Sequence, residues 1–213
     1  MSTVRKLKET LKIRLSESPM QMLHQTSWLL HWVIVYSFTA EGSNGLLATL
    51  LSEKTSDPYH NVIQLRSPHL MRYMVASFLL ARSSQQTVTA AHKLAPIVAK
   101  NALQVIGLPI ILAERSKYSD AFTQFSLALF EEVDLAEALR LAALIGQEAE
   151  NDVLLKPHAE KLKRQALLYV FEVQTRLYKT NMDLTSFCTK QGIPQATVAA
   201  AITEVQNNLK EDG

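Results

Sequence analysis

The stretch "FTQFSLALFEEVDLAEALRLAALI", residues 122–145, decides the fold class of this chain. Its apolar residues recur every three or four positions on both sides of the acidic segment 131–134, which predicts two amphipathic helices. Asp134 and Glu137 match a capping box at the start of the second helix. A loop this short makes the two helices antiparallel neighbours. Small residues that would allow their close approach are Ala128, Ala136, Ala138, Ala142 and Ala143.

The same helical periodicity runs through most of the chain, and no alternating strand pattern interrupts it. Capping residues directly before prolines, at 18–19, 57–58 and 67–68, predict helix starts near Pro19, Pro58 and Pro68. We therefore predict an all-α fold in which residues 1–180 form stacked antiparallel helical hairpins without a strict repeat. The last of these helices follows Pro157, with a buried face formed by Leu162, Ala166, Tyr169, Val170, Val173 and Leu177.

The C-terminal part, residues 181–213, has a different pattern. A short helix, a turn with Gly192 and Pro194, and a second helix predict a helix-turn-helix, as in a truncated winged helix without its sheet. The second helix has no positive charge before Lys210. Because phosphate contacts supply most non-specific affinity for DNA, this composition disfavours DNA reading.

Composition indicates a folded, helix-rich protein, and the cysteine content is compatible with a reducing compartment. The 213 residues include 22 basic and 20 acidic side chains, and the single cysteine, Cys188, cannot form an internal disulfide. The N-terminus lacks a signal-peptide core, and the longest apolar run, residues 28–38, is too short to span a bilayer. We expect a soluble cytoplasmic protein that does not act at a membrane.

No catalytic or metal motif is recognisable in the sequence. The segment "HQTSWLLHW", residues 24–32, contains both tryptophans and two histidines, but a zinc site needs further ligands that its neighbourhood does not supply. Helix packing is therefore the favoured interpretation of this segment. The glycines form no phosphate-binding loop, and Cys188 lacks the sequence context of a nucleophile. We expect a protein without a cofactor or metal that is not an enzyme.

Three segments together support a family resemblance. They are "LKETL" at residues 7–11, "SPMQMLHQTSWLLHWVIVYSF" at 18–38 and "VIQLRSPHLMRYM" at 62–74. In this order they resemble the e-subunit family of eukaryotic translation initiation factor three, which belongs to the PCI-domain proteins. The residues that match the family motifs are Trp28, His31, Trp32, Pro68, His69, Arg72 and Tyr73.

The resemblance implies a PCI-type helical repeat that serves as a non-catalytic scaffold. Such a subunit assembles with other subunits of the initiation factor and supports recruitment of mRNA to the 40S ribosomal subunit, with contact to RNA through the complex. It implies that Trp28 and Trp32 fill space between hairpins, and that His31 and His69 are hydrogen-bonded packing residues. Arg72 would hold either the C-terminal carbonyls of a neighbouring helix or a carboxylate.

Family members have further helical repeats before this region, and they close the winged helix with a small sheet. This chain has neither feature, which puts in doubt the sheet-edge pairing through which PCI proteins assemble. Both a shortened chain and a naturally reduced subunit would account for these two departures from the family pattern.

Two surfaces are candidates for subunit contacts. One lies on the second helix of the truncated winged helix, and the other is the basic face of the first helix. Their residues are Val198, Ile202 and Val205, and Lys6, Lys8, Lys12 and Arg14, respectively. Packing on the preceding helix is the alternative for the first surface, and simple solvation is the alternative for the second.

Two other functions stay open. The helix-turn-helix and the basic helix could form a nucleic-acid-binding module. A PCI subunit of a proteasome-lid-like or signalosome-like complex would keep the fold and change the partners.

Overall fold

The computed structural model describes residues 18–39, 57–81 and 102–178, and these ranges form seven α-helices without a strand. This confirms the predicted all-α class. The predicted helix-turn-helix at 181–213 lies outside the described residues. The helices are α1 (Pro19–Thr39), α2 (Asp57–Leu65), α3 (Met71–Ala81), α4 (Leu108–Glu114), α5 (Ala121–Phe130), α6 (Leu135–Glu150) and α7 (Ala159–Tyr178). Short 3-10 turns, Pro68–Leu70 and Lys156–His158, lead into α3 and α7, and a π turn, Leu103–Gly107, leads into α4.

The helical hairpin predicted from residues 122–145 is present as α5 and α6. The Oδ1 atom of Asp134 accepts a hydrogen bond from the backbone N–H of Glu137 at 3.0 Å, as a helix cap does. The Glu137 side chain pairs with Arg140 instead of reaching back, so only half of the predicted capping box forms. In the connecting turn, Val133 has a positive φ of 54°.

Helices begin where the prolines predict. Pro19 starts α1, Pro68 starts the 3-10 turn that runs into α3, and α2 starts at Asp57, one residue before its proline. The expected cap at Ser67 is wrong, because its hydroxyl makes no capping bond and lies 3.2 Å from the hydroxyl of Ser27 in a buried contact. Ser67 therefore joins the turn before α3 to α1.

One hydrophobic core extends through the described helices. Within it, α6 packs between α5 and α7, α3 packs against α5 and α7, and α1 packs mainly on α2. Predicted α7 residues that are buried are Leu162, Ala166, Tyr169 and Val170; Val173 packs at the edge of the core, and the Leu177 side chain lies outside the described part. Of the small residues predicted at the hairpin contact, Ala128, Ala138 and Ala142 are buried, whereas Ala136 and Ala143 are exposed.

Candidate functional site

The motif residues lie in two neighbouring places. Trp28, His31 and Trp32 are on α1, whereas the other four are in the 3-10 turn and the first residues of α3. The Ser27–Ser67 contact brings that turn against α1. The motif therefore forms one continuous region of the structure, although its two halves are separated by about 40 residues of sequence.

Arg72 is the centre of a polar cluster that joins three parts of the fold. Its Nε atom donates to Oδ2 of Asp120 at 2.8 Å, and its Nη2 and Nη1 atoms lie 3.4 Å from Oε2 of Glu148 and 3.5 Å from Oδ2 of Asp152. The Asp120 and Asp152 side chains are only 5% and 9% exposed, against 26% for Arg72. Of the two roles open for Arg72 from the sequence, the structure selects the carboxylate.

Two tyrosines complete this Arg72 cluster. The hydroxyl of Tyr118 donates to Oδ2 of Asp120 at 2.9 Å, and the hydroxyl of Tyr73 donates to Oδ2 of Asp152 at 2.9 Å. Asp120 also caps α5, because its Oδ1 atom accepts from the backbone N–H of Thr123 at 2.9 Å. The cluster, composed of Arg72, Tyr73, Tyr118, Asp120, Glu148 and Asp152, thus connects α3 to the start of α5 and the end of α6, at the open end of the hairpin.

The electrostatics of the Arg72 cluster favour a fixed charge distribution. Burial opposes the charge on Arg72, but the hydrogen bond to Asp120 and the nearby carboxylates outweigh it and raise the pKa of the guanidinium. Burial and the hydrogen bond to Asp152 raise the pKa of Tyr73 to about 12. Both groups therefore keep their protons at neutral pH, and the cluster is suited to crosslinking helices rather than to transferring protons.

His31 and His69 face each other beside this cluster. The Nδ1 atom of His31 lies 2.7 Å from the carbonyl oxygen of Ser27, and its Nε2 atom lies 3.4 Å from Nε2 of His69. Since a carbonyl only accepts, Nδ1 of His31 donates to Ser27, and the contact between the two Nε2 atoms needs a proton on one of them. Burial, followed by the charge of His31, lowers the pKa of His69. The pair is hydrogen-bonded, as the resemblance implied, but both histidines are exposed and so are not buried packing residues.

The burial expected for the two tryptophans is wrong. Trp28 and Trp32 are 56% and 54% exposed, and they contact each other edge to face with ring centroids 5.8 Å apart. The physical reason is that α1 has apolar residues on both sides. At 100° per residue, Leu29, Leu30 and Val33 point toward α2 and fill the core, whereas the tryptophans are on the opposite side.

Neither a metal centre with three protein ligands nor a membrane span has structural support in the described ranges. Among residues 18–39, 57–81 and 102–178, no group of three or more His, Cys, Asp or Glu side chains is arranged to hold a metal ion. None of the helices in these ranges combines the length and hydropathy needed to cross a bilayer. The candidate contact residues on the basic N-terminal helix and on the C-terminal helix-turn-helix lie outside the described part of the chain.

Sequence reasoning missed the carboxylates of the Arg72 cluster. Asp120 carried a usable signal, since it stands directly before a helix with Thr123 three residues later and forms a reciprocal cap with it. Glu148 and Asp152 are four residues apart, which places both near the end of α6, but nothing in that spacing points to Arg72.

No protein-family model matches the chain. The chain is similar to the E subunit of eukaryotic translation initiation factor 3. It is 27% identical to that protein of Emericella nidulans and of Aspergillus oryzae over 195 residues, which cover 92% of this chain and 41% of each relative. The match to the protein of Caenorhabditis elegans is 27% over 160 residues, 75% of this chain and 33% of the relative. The chain thus spans about two fifths of the length of the fungal relatives.

Proposed function

We propose that this chain is a non-catalytic scaffold subunit of an initiation factor 3-type complex. In this role it assembles with other subunits through its helical stack and supports recruitment of mRNA to the 40S ribosomal subunit. The observation that supports the proposal is the similarity to the E subunit of initiation factor 3 over 92% of the chain, at 27% identity. The seven motif residues of α1, α3 and the turn before α3 lie within the matched length.

The geometry agrees with a scaffold role. In the Arg72 cluster one guanidinium bridges three carboxylates, and the tyrosine hydroxyls donate hydrogen bonds to two of them. Such a cluster fixes the relative positions of helices, and a stack of fixed helices offers long ridges and grooves to partner helices. Residues 101–160 carry 10 acidic and 4 basic side chains, a balance that favours protein partners over nucleic acid for this part of the chain.

Affinity purification of the tagged full chain from its source cells, followed by mass spectrometry, tests the proposal. We expect other subunits of the initiation factor to co-purify in near-stoichiometric amounts, and to be absent from a purification with the tag alone. Enrichment of proteasome-lid or signalosome subunits instead would reassign the complex. Recovery of neither set would refute the scaffold role.

The nucleic-acid-binding alternative has its own test. Retention of the purified chain on immobilised RNA should fall steeply with salt if Lys8, Lys12 and Arg14 contact phosphates. Replacing these three residues with Glu would then abolish retention. Indifference to both salt and substitution would exclude direct RNA binding through this segment.

A further inference from the structure

The imidazoles of His31 and His69 point their outer nitrogens at each other. Their Nε2 atoms are 3.4 Å apart, whereas the ring centroids are 5.5 Å apart, so the two rings meet through these nitrogens rather than by stacking. His31 is on α1, and His69 is in the 3-10 turn before α3. Both side chains are exposed, so an ion and its bound water can reach the pair from solution.

The separation of these two nitrogens fits a single metal ion held between them. A zinc–imidazole bond is about 2.0–2.1 Å long, and a tetrahedral angle between two such bonds places their nitrogens about 3.3–3.4 Å apart. The observed distance between the two Nε2 atoms is 3.4 Å. The two imidazoles can therefore share one ion with little movement of either side chain.

The backbone of α1 holds His31 in the form that binds a metal. Its Nδ1 atom donates to the carbonyl oxygen of Ser27 at 2.7 Å, so Nε2 of the neutral ring has a free lone pair. Metal-binding histidines are commonly oriented by such a hydrogen bond from the other ring nitrogen. An ion takes the place of the proton between the two Nε2 atoms, and the neutral His69 ring then carries its proton on Nδ1.

The charge near the histidine pair favours a cation. His69 stands three residues before Arg72, which is about one helical turn. The Arg72 cluster contains one guanidinium and three carboxylates, so its formal charge is −2. Helix α1 contributes no lysine or arginine that would repel an ion. A divalent cation at the pair is therefore attracted by the neighbouring cluster.

We propose that His31 and His69 form a two-histidine site for Zn²⁺ or a similar divalent transition-metal ion, with water at the remaining coordination positions. Imidazole suits Zn²⁺, Cu²⁺ and Ni²⁺, whereas Mg²⁺ and Ca²⁺ prefer oxygen ligands. The bound ion joins α1 to the turn before α3, which the buried Ser27–Ser67 contact already brings together.

The number of ligands sets the role of this site. Within the described ranges no third His, Cys, Asp or Glu joins the pair. The site thus lacks half of the four ligands that give structural zinc sites their high affinity, and we expect a dissociation constant on the order of 10 µM. The ion is an exchangeable crosslink between two helical segments. This inference does not rest on the proposed function.

Calorimetric titration of the purified, metal-free full chain with Zn²⁺ tests the site. Cys188 is replaced with Ser in every chain, because a thiolate is itself a zinc ligand. His31→Gln and His69→Gln should each weaken Zn²⁺ binding at least ~10-fold, since losing a ligand costs no less than losing a group that orients one. The matched control is His24→Gln, because His24 is also exposed on α1 but contacts Arg66 instead. This control should bind Zn²⁺ like the wild type.

Tryptophan fluorescence locates the ion. The two tryptophans of the chain, Trp28 and Trp32, are three residues before His31 and one residue after it. Copper(II) quenches the fluorescence of nearby tryptophans, so one equivalent of Cu²⁺ should remove most of the emission of the wild type and of His24→Gln. The emission of His31→Gln and of His69→Gln should be largely retained. Circular dichroism should show that all variants keep the wild-type helix content.

Equal Zn²⁺ binding by the wild type and by a chain with both His31→Gln and His69→Gln would overturn the proposal, because the ion would then be held elsewhere. So would an equal loss of affinity in His24→Gln, or binding of Mg²⁺ as tight as that of Zn²⁺. These outcomes are separate from those of the proposed function. A chain that binds Zn²⁺ through the pair but recovers no initiation-factor subunits retains this inference and loses that function.

Discussion

Replacing Arg72 with Met should destabilise the protein by about 2–3 kcal/mol. The substitution keeps most of the side-chain volume and removes the charge, which leaves the nearly buried carboxylates of Asp120 and Asp152 without their cation. Breaking a fully buried pair costs about 3–5 kcal/mol. The cost is smaller here because Tyr118 and Tyr73 still donate hydrogen bonds to these carboxylates and the Arg72 side chain is 26% exposed.

Urea unfolding followed by circular dichroism measures this loss. The midpoint should fall with an unchanged slope, and the melting temperature should fall by about 5–10 °C for a chain of this size. Arg140→Met is the matched control, because Arg140 pairs with Glu137 on an exposed helix surface. Surface pairs of this kind contribute little, so the control should unfold like the wild type.

Two further variants separate the charge from its geometry. Arg72→Lys should recover only part of the loss, since one ammonium group cannot donate in the three directions that the guanidinium uses. In a double-mutant cycle with Asp120→Asn, the coupling should exceed about 1 kcal/mol. If Arg72→Met unfolds like Arg140→Met, the Arg72 cluster is not a structural crosslink and the reasoning is refuted.

Three other perturbations have defined outcomes. The folded state lowers the pKa of His69, so below about pH 6.5 the unfolded chain binds more protons than the folded chain, and the wild type loses stability as the pH falls. In His69→Gln the urea midpoint should drop less between pH 7.5 and pH 5.5 than it does in the wild type. An equal drop in both proteins would contradict this expectation. Val133→Gly should stabilise the protein by about 1 kcal/mol, because the positive φ strains a branched side chain; an unchanged melting temperature would argue against this strain. Leu30→Ala should lower the free energy of unfolding by about 2–5 kcal/mol, because Leu30 is fully buried. Trp28→Ala should lower it much less, because Trp28 is 56% exposed. The reverse order of unfolding midpoints would show that the buried and exposed sides of α1 are assigned wrongly.

Much of the local structure was predictable because it depends on short-range patterns. The α5–α6 hairpin follows from apolar spacing and a capping aspartate, and the starts of α1 and α2 follow from prolines whose missing N–H costs least at a helix start. The buried face of α7 follows from one clear amphipathic stripe. These features need only neighbours within a few residues of sequence.

The tryptophans and the Arg72 cluster were not predictable in the same way. Helix α1 is apolar on two sides, so periodicity alone does not tell which side faces the core. Its branched aliphatic residues and Phe38 fill the core, whereas the rings of Trp28 and Trp32 are exposed. The partners of Arg72 are 48 to 80 residues away, and only the packing of α3 against the later hairpin brings them together.

The separation between Arg72 and its carboxylates has a consequence during synthesis. Asp152 is added 80 residues after Arg72, which takes about 4–16 s at ordinary elongation rates. Throughout that interval the guanidinium lacks its full set of carboxylates, and the apolar side of α3 is not yet covered by the α5–α6 hairpin and α7. Until the later helices leave the ribosome, water hydrates the guanidinium of Arg72 and the apolar side of α3.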